Sequence, residues 1–288
     1  MEDIKYYFEK AKKEKFAIGA FNATNIETLK AIVSAASELK SPVIIEASSG
    51  EVSYIGDLEL RALVDVYKER FGIPIFLNLD HSHNIDDTLK AIDVGFDLIH
   101  FDGGELEYQT NIEQTKLVVK SAHKANLFVE GEIDHIQGSS ADHRAVKPEE
   151  TQKLGSYTTP FQALDFVTKT KVDILASFIG NVHGLYKNSP VLDLELLKKI
   201  SDIIPDTYLS LHGGSGISPF YISGAIENGN IVKINVNSEM RIAFKETLQN
   251  EINKTDEVAV YKFMVPVIKA VKFVVMEKIQ LFGSAGKI

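Results

Sequence analysis

The chain has 288 residues, 44% of them hydrophobic, a length that fits one large domain or two smaller ones. Its 40 acidic residues outnumber its 31 basic ones, and the net charge of −9 argues against a nucleic-acid surface built on bulk positive charge. There is no cysteine, so disulfides and thiolate metal sites are excluded and any transition metal would need histidine and carboxylate ligands.

The amino-terminal segment, residues 1–16, is charged and lacks the apolar core of a secretory signal. No run of the sequence approaches the ~18 apolar residues that a membrane-spanning helix needs. The sequence therefore predicts a cytoplasmic protein with neither a membrane nor a nucleic acid as its partner.

Eight short apolar runs recur along the chain, and most of them are continuous rather than alternating. Continuous runs are typical of parallel strands that are buried on both faces of a sheet. The predicted strands are Phe16–Phe21, Pro42–Ala47, Ile73–Leu79, Leu98–Phe101, Leu127–Ile133, Val172–Ile179, Tyr208–Leu211 and Ile231–Val236.

Amphipathic stretches lie between these strands. In the first, Ile26, Leu29 and Ile32 follow helical spacing, and Asn25 is in position to cap the helix. The predicted helices are Ile26–Leu39, Leu58–Phe71, Ile85–Val94, Ile112–Ala125, Phe161–Thr168, Leu192–Ile203 and Pro219–Ala225, with a largely helical segment from Glu239 onward.

This alternation predicts an α/β fold, namely a (β/α)8 TIM barrel with a C-terminal helical extension and one domain over residues 1–288. A doubly wound sheet is the alternative, although no GxGxxG pattern follows the first strand. The polar segment 138–160 is much longer than an ordinary connection from strand to helix, which predicts a lid or substrate loop.

Three histidines, His81, His183 and His212, each follow a predicted strand. Because the carboxyl ends of barrel strands meet at one mouth, we expect these three side chains to converge there. Three imidazole nitrogens with one position left open form a typical ligand set of catalytic zinc. A lone histidine is more often structural or solvated, but three at equivalent positions favour a metal site.

The other five histidines have less distinctive positions. His100 lies within the fourth strand and is predicted to be a packed residue, whereas His123 and His143 are predicted to be solvated. His83 and His135 lie nearer the mouth, where a role beside the metal or the substrate is the alternative to a structural one.

A glycine-rich segment follows the seventh predicted strand, and a short polar segment follows the eighth. Gly213–Gly216 offers backbone N–H groups and a serine hydroxyl, and Asn237–Glu239 does the same after the next strand. In TIM barrels the loops after strands seven and eight frequently bind phosphate. A tight turn is the alternative for either loop alone, but the pair predicts a phosphate site.

The motifs LDH, DG, VEGEI, GNVHGLYK, LHGGSG and KINVNSE, in this order, resemble the class II (zinc-dependent) fructose-bisphosphate and tagatose-bisphosphate aldolases. The resemblance extends from Phe21-Asn22 to FGSAGK near the end. It implies a TIM barrel that is a homodimer or a larger homo-oligomer and binds a phosphorylated sugar. The implied reaction is reversible cleavage of a ketose 1,6-bisphosphate, with fructose 1,6-bisphosphate expected, to dihydroxyacetone phosphate and an aldehyde such as glyceraldehyde 3-phosphate, in glycolysis or gluconeogenesis.

The resemblance also implies roles for individual residues. His81, His183 and His212 would bind the catalytic Zn²⁺, and Asp102 and Glu132 match positions that bind a second divalent metal. The remaining matches concern the acid, the substrate and a monovalent cation (Na⁺ or K⁺). Asp80 matches the acid that exchanges a proton with the aldehyde-derived oxygen, and Asn235 the residue that touches the enediolate. Positions near the substrate are Asn22, Ser48, Gly184, Lys187, Gly213, Gly214, Ser215, Asn235, Val236, Asn237 and Ser238, and the carbonyl-lined cation site matches Val182, Gly184, Gly213 and Ser215.

Three positions depart from the family pattern. The loop Gln137–His143 has serine where the family has a glutamate that takes the alpha proton, so either Asp142, His143 or a loop glutamate replaces this base or the chemistry is altered. Gly104 occupies the position after Gly103 where family members commonly have serine. Asn237 differs from the residues typical of fructose- and tagatose-type members. Cleavage of tagatose bisphosphate or another ketose phosphate and a catalytically impaired aldolase-like subunit therefore remain as alternatives. A metal-dependent barrel hydrolase is a further alternative, although its HxH pair, His81 and His83, lies on the third predicted strand rather than the first.

Overall fold

A closed barrel of eight parallel strands forms the centre of the computed structural model, which describes residues 2–288. Each barrel strand pairs with its neighbours in chain order, and the first pairs with the last to close the sheet. The barrel strands are β1 (Ile18–Asn22), β2 (Val43–Ser48), β3 (Ile75–Ser82), β4 (Leu98–Asp102), β5 (Phe128–Glu132), β7 (Ile174–Ala176), β9 (Tyr208–Leu211) and β10 (Ile231–Val236). The TIM-barrel prediction is confirmed, and the doubly wound alternative is wrong because the sheet has no open edge.

Helices surround this barrel. They are α1 (Ile4–Glu14), α2 (Ile26–Glu38), α3 (Ser49–Ile55), α4 (Asp57–Phe71), α5 (Ile85–Val94), α6 (Tyr108–Lys124), α7 (Pro148–Gln152), α8 (Pro160–Thr170), α9 (Leu194–Ile203), α10 (Pro219–Asn228), α11 (Ser238–Lys254) and α12 (Val260–Leu281). The C-terminal extension consists of α11 and α12, which pack together, and α12 also packs on α2. Within residues 2–288, no helix is long and apolar enough to cross a bilayer.

The segment 138–160 contains regular structure that the sequence did not predict. Its first part is β6 (Gly138–His143), which pairs in parallel with β8 (His183–Tyr186) in a separate two-stranded sheet. Gly138 has a φ of 95°, and a Cβ atom there would clash with the carbonyl oxygen of His183. The close approach of the two strands therefore requires glycine at this position.

The barrel interior is layered from its amino-terminal end to its mouth. Helix α1 closes the amino-terminal end, where the fully buried Phe8 ring lies 5.9 Å from the Phe128 ring and 5.4 Å from the Tyr208 ring. Early strand residues complete this apolar layer: Ile18, Ile44, Phe76, Leu98 and Ile174.

A buried polar layer follows above this apolar layer. The Lys233 ammonium lies 2.7 Å from Glu46 Oε1 and 2.6 Å from Glu130 Oε2, and all three side chains are fully buried. Side chains alternate along a strand, so the residues two positions further on stand at the mouth. These include Asp80 after Asn78, Asp102 after His100, Glu132 after Glu130, His212 after Ser210 and Asn235 after Lys233.

Phe8→Ala should lower the free energy of unfolding by about 3–5 kcal/mol, because it leaves a cavity among the rings that close the barrel. Urea denaturation followed by circular dichroism measures the change. Lys5→Ala, an exposed position on the same helix, is the control and should stay within about 0.5 kcal/mol. Equal stability of the two variants would contradict a structural role for α1.

Candidate metal centre

The structure brings the three predicted metal-binding histidines together at the barrel mouth. The His81 ring centroid lies 4.9 Å from that of His183 and 4.6 Å from that of His212, and the latter two are 5.9 Å apart. His81 stands near the end of β3 and His212 directly follows β9. The prediction that His183 directly follows a barrel strand is wrong. The barrel strand β7 ends at Ala176, and His183 begins the separate strand β8.

Each of these rings has one nitrogen engaged with an oxygen acceptor. His81 Nδ1 lies 2.7 Å from Asp102 Oδ2, His183 Nδ1 3.0 Å from the Ile136 carbonyl, and His212 Nε2 2.7 Å from Glu130 Oε1. An acceptor at one nitrogen places the proton there and leaves the lone pair on the other. His81 Nε2, His183 Nε2 and His212 Nδ1 are therefore the nitrogens available to a metal.

The distances and protonation of these rings suit metal binding. His81 Nε2 and His212 Nδ1 lie 2.9 Å apart, a hydrogen-bond distance, so the two nitrogens that a metal would need face each other. Burial lowers the pKa of His183 to about 4 and that of His212 to about 3, so both rings are neutral. Burial also disfavours a charged His81, but the carboxylates of Asp80, Asp102 and Glu132 together outweigh it and raise the pKa of His81 to about 9. A bound cation would replace that proton as the positive charge beside Asp80.

His100 also belongs to this cluster, although the sequence predicted only a packed residue. It is fully buried, as expected, but its ligand atoms and those of Asp80, His81 and His212 all lie within 4.8 Å of one another. A second group with the same spacing consists of His81, Asp102 and Glu132. The two carboxylates predicted to bind a second metal thus lie beside the first histidine.

Asp80 is held by two amides at the edge of the cluster. Asn22 Nδ2 donates to its Oδ2 at 3.1 Å, and Asn235 Nδ2 donates to its Oδ1 at 3.3 Å. Burial opposes ionisation of Asp80, but the nearby His81, His100, Lys233 and His212 together outweigh it and hold its pKa well below the usual range. Asp80 is therefore ionised.

Glu51 supports this arrangement and was missed in the sequence. Its Oε2 accepts a hydrogen bond from Asn22 Nδ2 at 2.9 Å, and its Oε1 pairs with Arg241 at 2.7 Å. Arg241 also donates to the carbonyl of Ser140 in β6 at 3.3 Å. The available signal was Ser48 followed three residues later by Glu51, a capping box that the structure confirms at the start of α3.

An open cavity lies above the histidines, and most predicted substrate residues line it. Gly213, with a φ of 68°, stands so close to the Val182 carbonyl that a side chain would clash with it. The full lining consists of Asn22, Asp80, His81, His83, Asp102, His135, Gly138, Ser139, Ser140, His183, Gly184, His212, Gly213, Ser215, Asn235, Asn237 and Ser238.

One wall of the cavity is the amino terminus of α11. Asn237 precedes this 17-residue helix and Ser238 begins it, and the Asn237 side chain does not cap it. Backbone N–H groups and the helix dipole make such a terminus favourable for an anion. Ser215, whose Oγ accepts the N–H of Glu239 at 3.3 Å, joins the glycine loop to the same wall.

Four predicted substrate residues lie outside the cavity lining. The Ser48 hydroxyl caps α3, and the Val236 side chain is buried in the hydrophobic core. The Gly214 N–H donates to the Asn235 carbonyl at 2.9 Å, and Lys187 is exposed just after β8. These residues shape the site through the backbone or from a distance rather than facing the cavity.

The loop that lacks the expected glutamate places serines, not an acid, at the cavity. Ser139 and Ser140 line it, whereas Asp142 pairs with Arg144 at 2.7 Å on the exposed surface. Hydrogen bonds from Arg144 lower the pKa of Asp142 to about 2. The His143 ring stacks on Tyr186, with centroids 5.1 Å apart. Neither proposed replacement for the base lines the cavity in this conformation.

Comparisons with known proteins agree with this geometry. The family model described as class-II fructose-bisphosphate aldolase matches residues 2–287. The sulfofructosephosphate aldolase of Alkalicoccus urumqiensis is 35% identical over 290 residues, covering 98% of this chain and 96% of the relative. The fructose-bisphosphate aldolase of Streptococcus pneumoniae serotype 4 is 36% identical over 296 residues, covering 98% and 97%. The solved structure of the YdjI aldolase from Escherichia coli K12 aligns with a TM-score of 0.84 at 31% identity, covering 100% and 99%.

Glu130→Gln should lower the affinity for zinc by about 10–100-fold, because the carboxylate that holds the proton of His212 on Nε2 is lost. Competition with a chromophoric chelator measures the affinity. Glu113→Gln, which changes an exposed carboxylate on α6, is the control and should bind zinc as the unmodified chain does. Unchanged affinity in a folded Glu130→Gln protein would show that this carboxylate does not orient the ligand.

Proposed function

Because the chain belongs to the class-II fructose-bisphosphate aldolase family, we propose that it cleaves a ketose 1,6-bisphosphate reversibly, with fructose 1,6-bisphosphate as the first substrate to test. The products would be dihydroxyacetone phosphate and glyceraldehyde 3-phosphate. The observation that carries the proposal is the convergence of three available imidazole nitrogens beside the ionised Asp80, in a cavity walled by a helix amino terminus.

The donor set fits zinc, with His81, His183 and His212 as the ligands. Three neutral imidazoles would leave the ion its full positive charge and one open position. When bound, the ion would supply Lewis-acid chemistry and stabilise negative charge that develops on the substrate carbonyl. Asp102 and Glu132 are available to a second divalent ion, and the close Val182 carbonyl and Gly213 to a monovalent cation.

The substrate phosphate next to the ketone would bind between the glycine loop and α11. Gly213 and Ser215 form one side of this pocket, and Asn237 and Ser238 form the other. The anion would interact with backbone N–H groups and the positive end of the helix dipole. Such binding places the carbon chain of the sugar across the barrel mouth, toward Asp80.

Asp80 and Asn235 would carry the polar steps of the reaction. In cleavage, the Asp80 carboxylate accepts the proton of the hydroxyl whose carbon becomes the aldehyde, and in condensation it returns that proton. Asn235 Nδ2 lies 3.3 Å from both Asp80 Oδ1 and His212 Nδ1, so it can donate to an enediolate oxygen between them. Asn22 holds the second oxygen of Asp80 and keeps the carboxylate oriented.

A second candidate substrate is a sulfonated ketose phosphate. The sulfofructosephosphate aldolase matches the chain at 35% identity, against 36% for the fructose-bisphosphate aldolase, so similarity alone does not separate the two. Cleavage of this substrate would release a sulfonated aldehyde. Tagatose 1,6-bisphosphate remains a third candidate, because Asn237 matches neither epimer type.

We also propose a cytoplasmic homodimer or larger homo-oligomer that acts in glycolysis or gluconeogenesis. Exposed Tyr261, Val265 and Phe273 along α12 support self-association, since apolar side chains on one helix favour contact with another chain. Light scattering of the purified protein measures the oligomeric state.

The purified protein should release triose phosphate from fructose 1,6-bisphosphate, lose this activity to a chelator and regain it with added zinc. Borohydride should not trap the substrate, since the proposed chemistry needs no lysine imine.

His212→Ala should lower kcat/KM by at least about 100-fold because it removes a metal ligand. His123→Ala, on the barrel exterior, is the control. Full activity after complete metal removal would contradict the proposal, and parallel assays with the sulfonated and tagatose substrates identify the preferred one.

Asp142→Ala should keep kcat/KM within about threefold of the unmodified enzyme, because its carboxylate faces Arg144 rather than the cavity. Steady-state assays of cleavage measure the change. A loss of 100-fold or more would show that β6 rearranges and brings Asp142 to the substrate as the missing base.

A further inference from the structure

The Asn22 side chain bridges two carboxylates beside the metal centre. Its Nδ2 lies 3.1 Å from Asp80 Oδ2 and 2.9 Å from Glu51 Oε2, so each amide hydrogen has its own carboxylate acceptor. All three residues are buried. Reversal of the amide would direct its oxygen at two carboxylates, and ionised carboxylates accept hydrogen bonds but do not donate them. Glu51 therefore holds Asn22 in the orientation that donates to Asp80.

Glu51 is itself fixed from two sides. Its Oε2 also accepts the backbone N–H of Ser48 at 2.9 Å, and its Oε1 lies 2.7 Å from Arg241 Nη2. The guanidinium donates through its other terminal nitrogen, Nη1, to the Ser140 carbonyl at 3.3 Å. Without this partner, the negative charge of Glu51 would repel the ionised Asp80 nearby. The ion pair thus orients Glu51 and compensates its charge.

Helix α11 connects the ion pair to the proposed phosphate pocket. Arg241 lies at the end of the first turn of this helix, and its backbone N–H donates to the Asn237 carbonyl at 3.0 Å. Asn237 and Ser238 line the cavity. One helical turn therefore carries both a wall of the phosphate pocket and the guanidinium that pairs with Glu51. A fixed geometry between the bound substrate and the group that reacts with it is a large source of rate.

We propose that Glu51 and Arg241 are positioning residues that act through Asn22 to orient Asp80 for the proton exchange. The inference rests on the proposed function, in which Asp80 exchanges a proton with the aldehyde-derived oxygen. That proton moves only when the carbon–carbon bond is broken or formed. The alpha proton of dihydroxyacetone phosphate belongs to the other product, and its exchange with solvent does not involve the aldehyde. Loss of the ion pair should therefore slow cleavage and spare alpha-proton exchange.

Two reactions of the zinc-loaded enzyme test this role. Steady-state assays measure kcat and KM for cleavage of fructose 1,6-bisphosphate, or of the sulfonated ketose phosphate if that is preferred. Proton NMR in deuterium oxide measures alpha-proton exchange of dihydroxyacetone phosphate. Glu51→Ala should lower kcat for cleavage by about 10- to 100-fold, because a small displacement of a reacting group is costly. KM and the exchange rate should stay within about threefold, since the substitution removes neither a phosphate contact nor a metal ligand.

Conservative variants separate the two contacts of Glu51. Glu51→Gln keeps an oxygen for the Asn22 amide but loses the negative charge that pairs with Arg241, so it should lower kcat less than Glu51→Ala. Arg241→Met removes the same ion pair from the other side. The double variant, Glu51→Gln with Arg241→Met, should be no slower than the slower single variant, because both substitutions remove one interaction.

A matched control and a structure complete the test. Glu107→Ala removes a helix-capping carboxylate, as Glu51→Ala does, but Glu107 is exposed and accepts N–H groups of its own helix, α6, so both reactions should be unchanged. Unchanged kcat, or equal losses of cleavage and exchange in folded Glu51→Ala, would overturn the inference and leave Glu51 as a support of α3.

A crystal structure of Glu51→Ala in which Asn22 still donates to Asp80 would also overturn the inference, and this result does not depend on activity. An unmodified enzyme that cleaves no ketose phosphate would contradict the proposed function, and the orientation of Asn22 in the variant would still decide whether Glu51 positions it.

Discussion

The buried ion pairs of Lys233 with Glu46 and Glu130 are the interaction on which the mouth of the barrel depends. Carboxylates tolerate burial only when they are paired and hydrogen-bonded. With the ammonium 2.6 Å away, Glu130 can stay ionised in the barrel interior and accept the Nε2 proton of His212. Glu46 pairs with the same ammonium and accepts a hydrogen bond from the Asn235 amide at 3.1 Å. One lysine in β10 thus positions side chains on two further strands.

The same arrangement explains why the centre is built in layers. The apolar layer around Phe8 excludes water from below, so the lysine and its carboxylates interact in a medium of low polarity where their attraction is strong. Above these ion pairs, at the barrel mouth, lie groups whose orientation must be fixed, such as the imidazole of His212. Preorganised direction is what binding and transition-state stabilisation require, and a rigid layer beneath the site supplies it.

The sequence predicted the barrel and the meeting of three histidines, because both follow from local patterns. Continuous apolar runs mark buried parallel strands, and residues just beyond them gather at one mouth. Lys233 was not assigned a role, since a lysine in an apolar run has no visible partner until barrel closure brings Glu46 of β2 and Glu130 of β5 to its ammonium group. His100 was predicted to be merely packed for the same reason. His183 was misplaced because β7 ends early, where pairing with its neighbours stops, and that pairing is not a local property.

The loop without its expected acid takes part in the site through its backbone. The β6–β8 pairing fixes Ser139 and Ser140 beside the cavity and places His183 at the start of β8. From Ser140 a continuous set of hydrogen bonds runs through Arg241, Glu51 and Asn22 to Asp80. A shift of β6 would therefore disturb both a predicted metal ligand and the residue proposed to exchange the proton. Because this coupling uses the Ser140 carbonyl group and the strand pairing, it does not require an acidic side chain in β6.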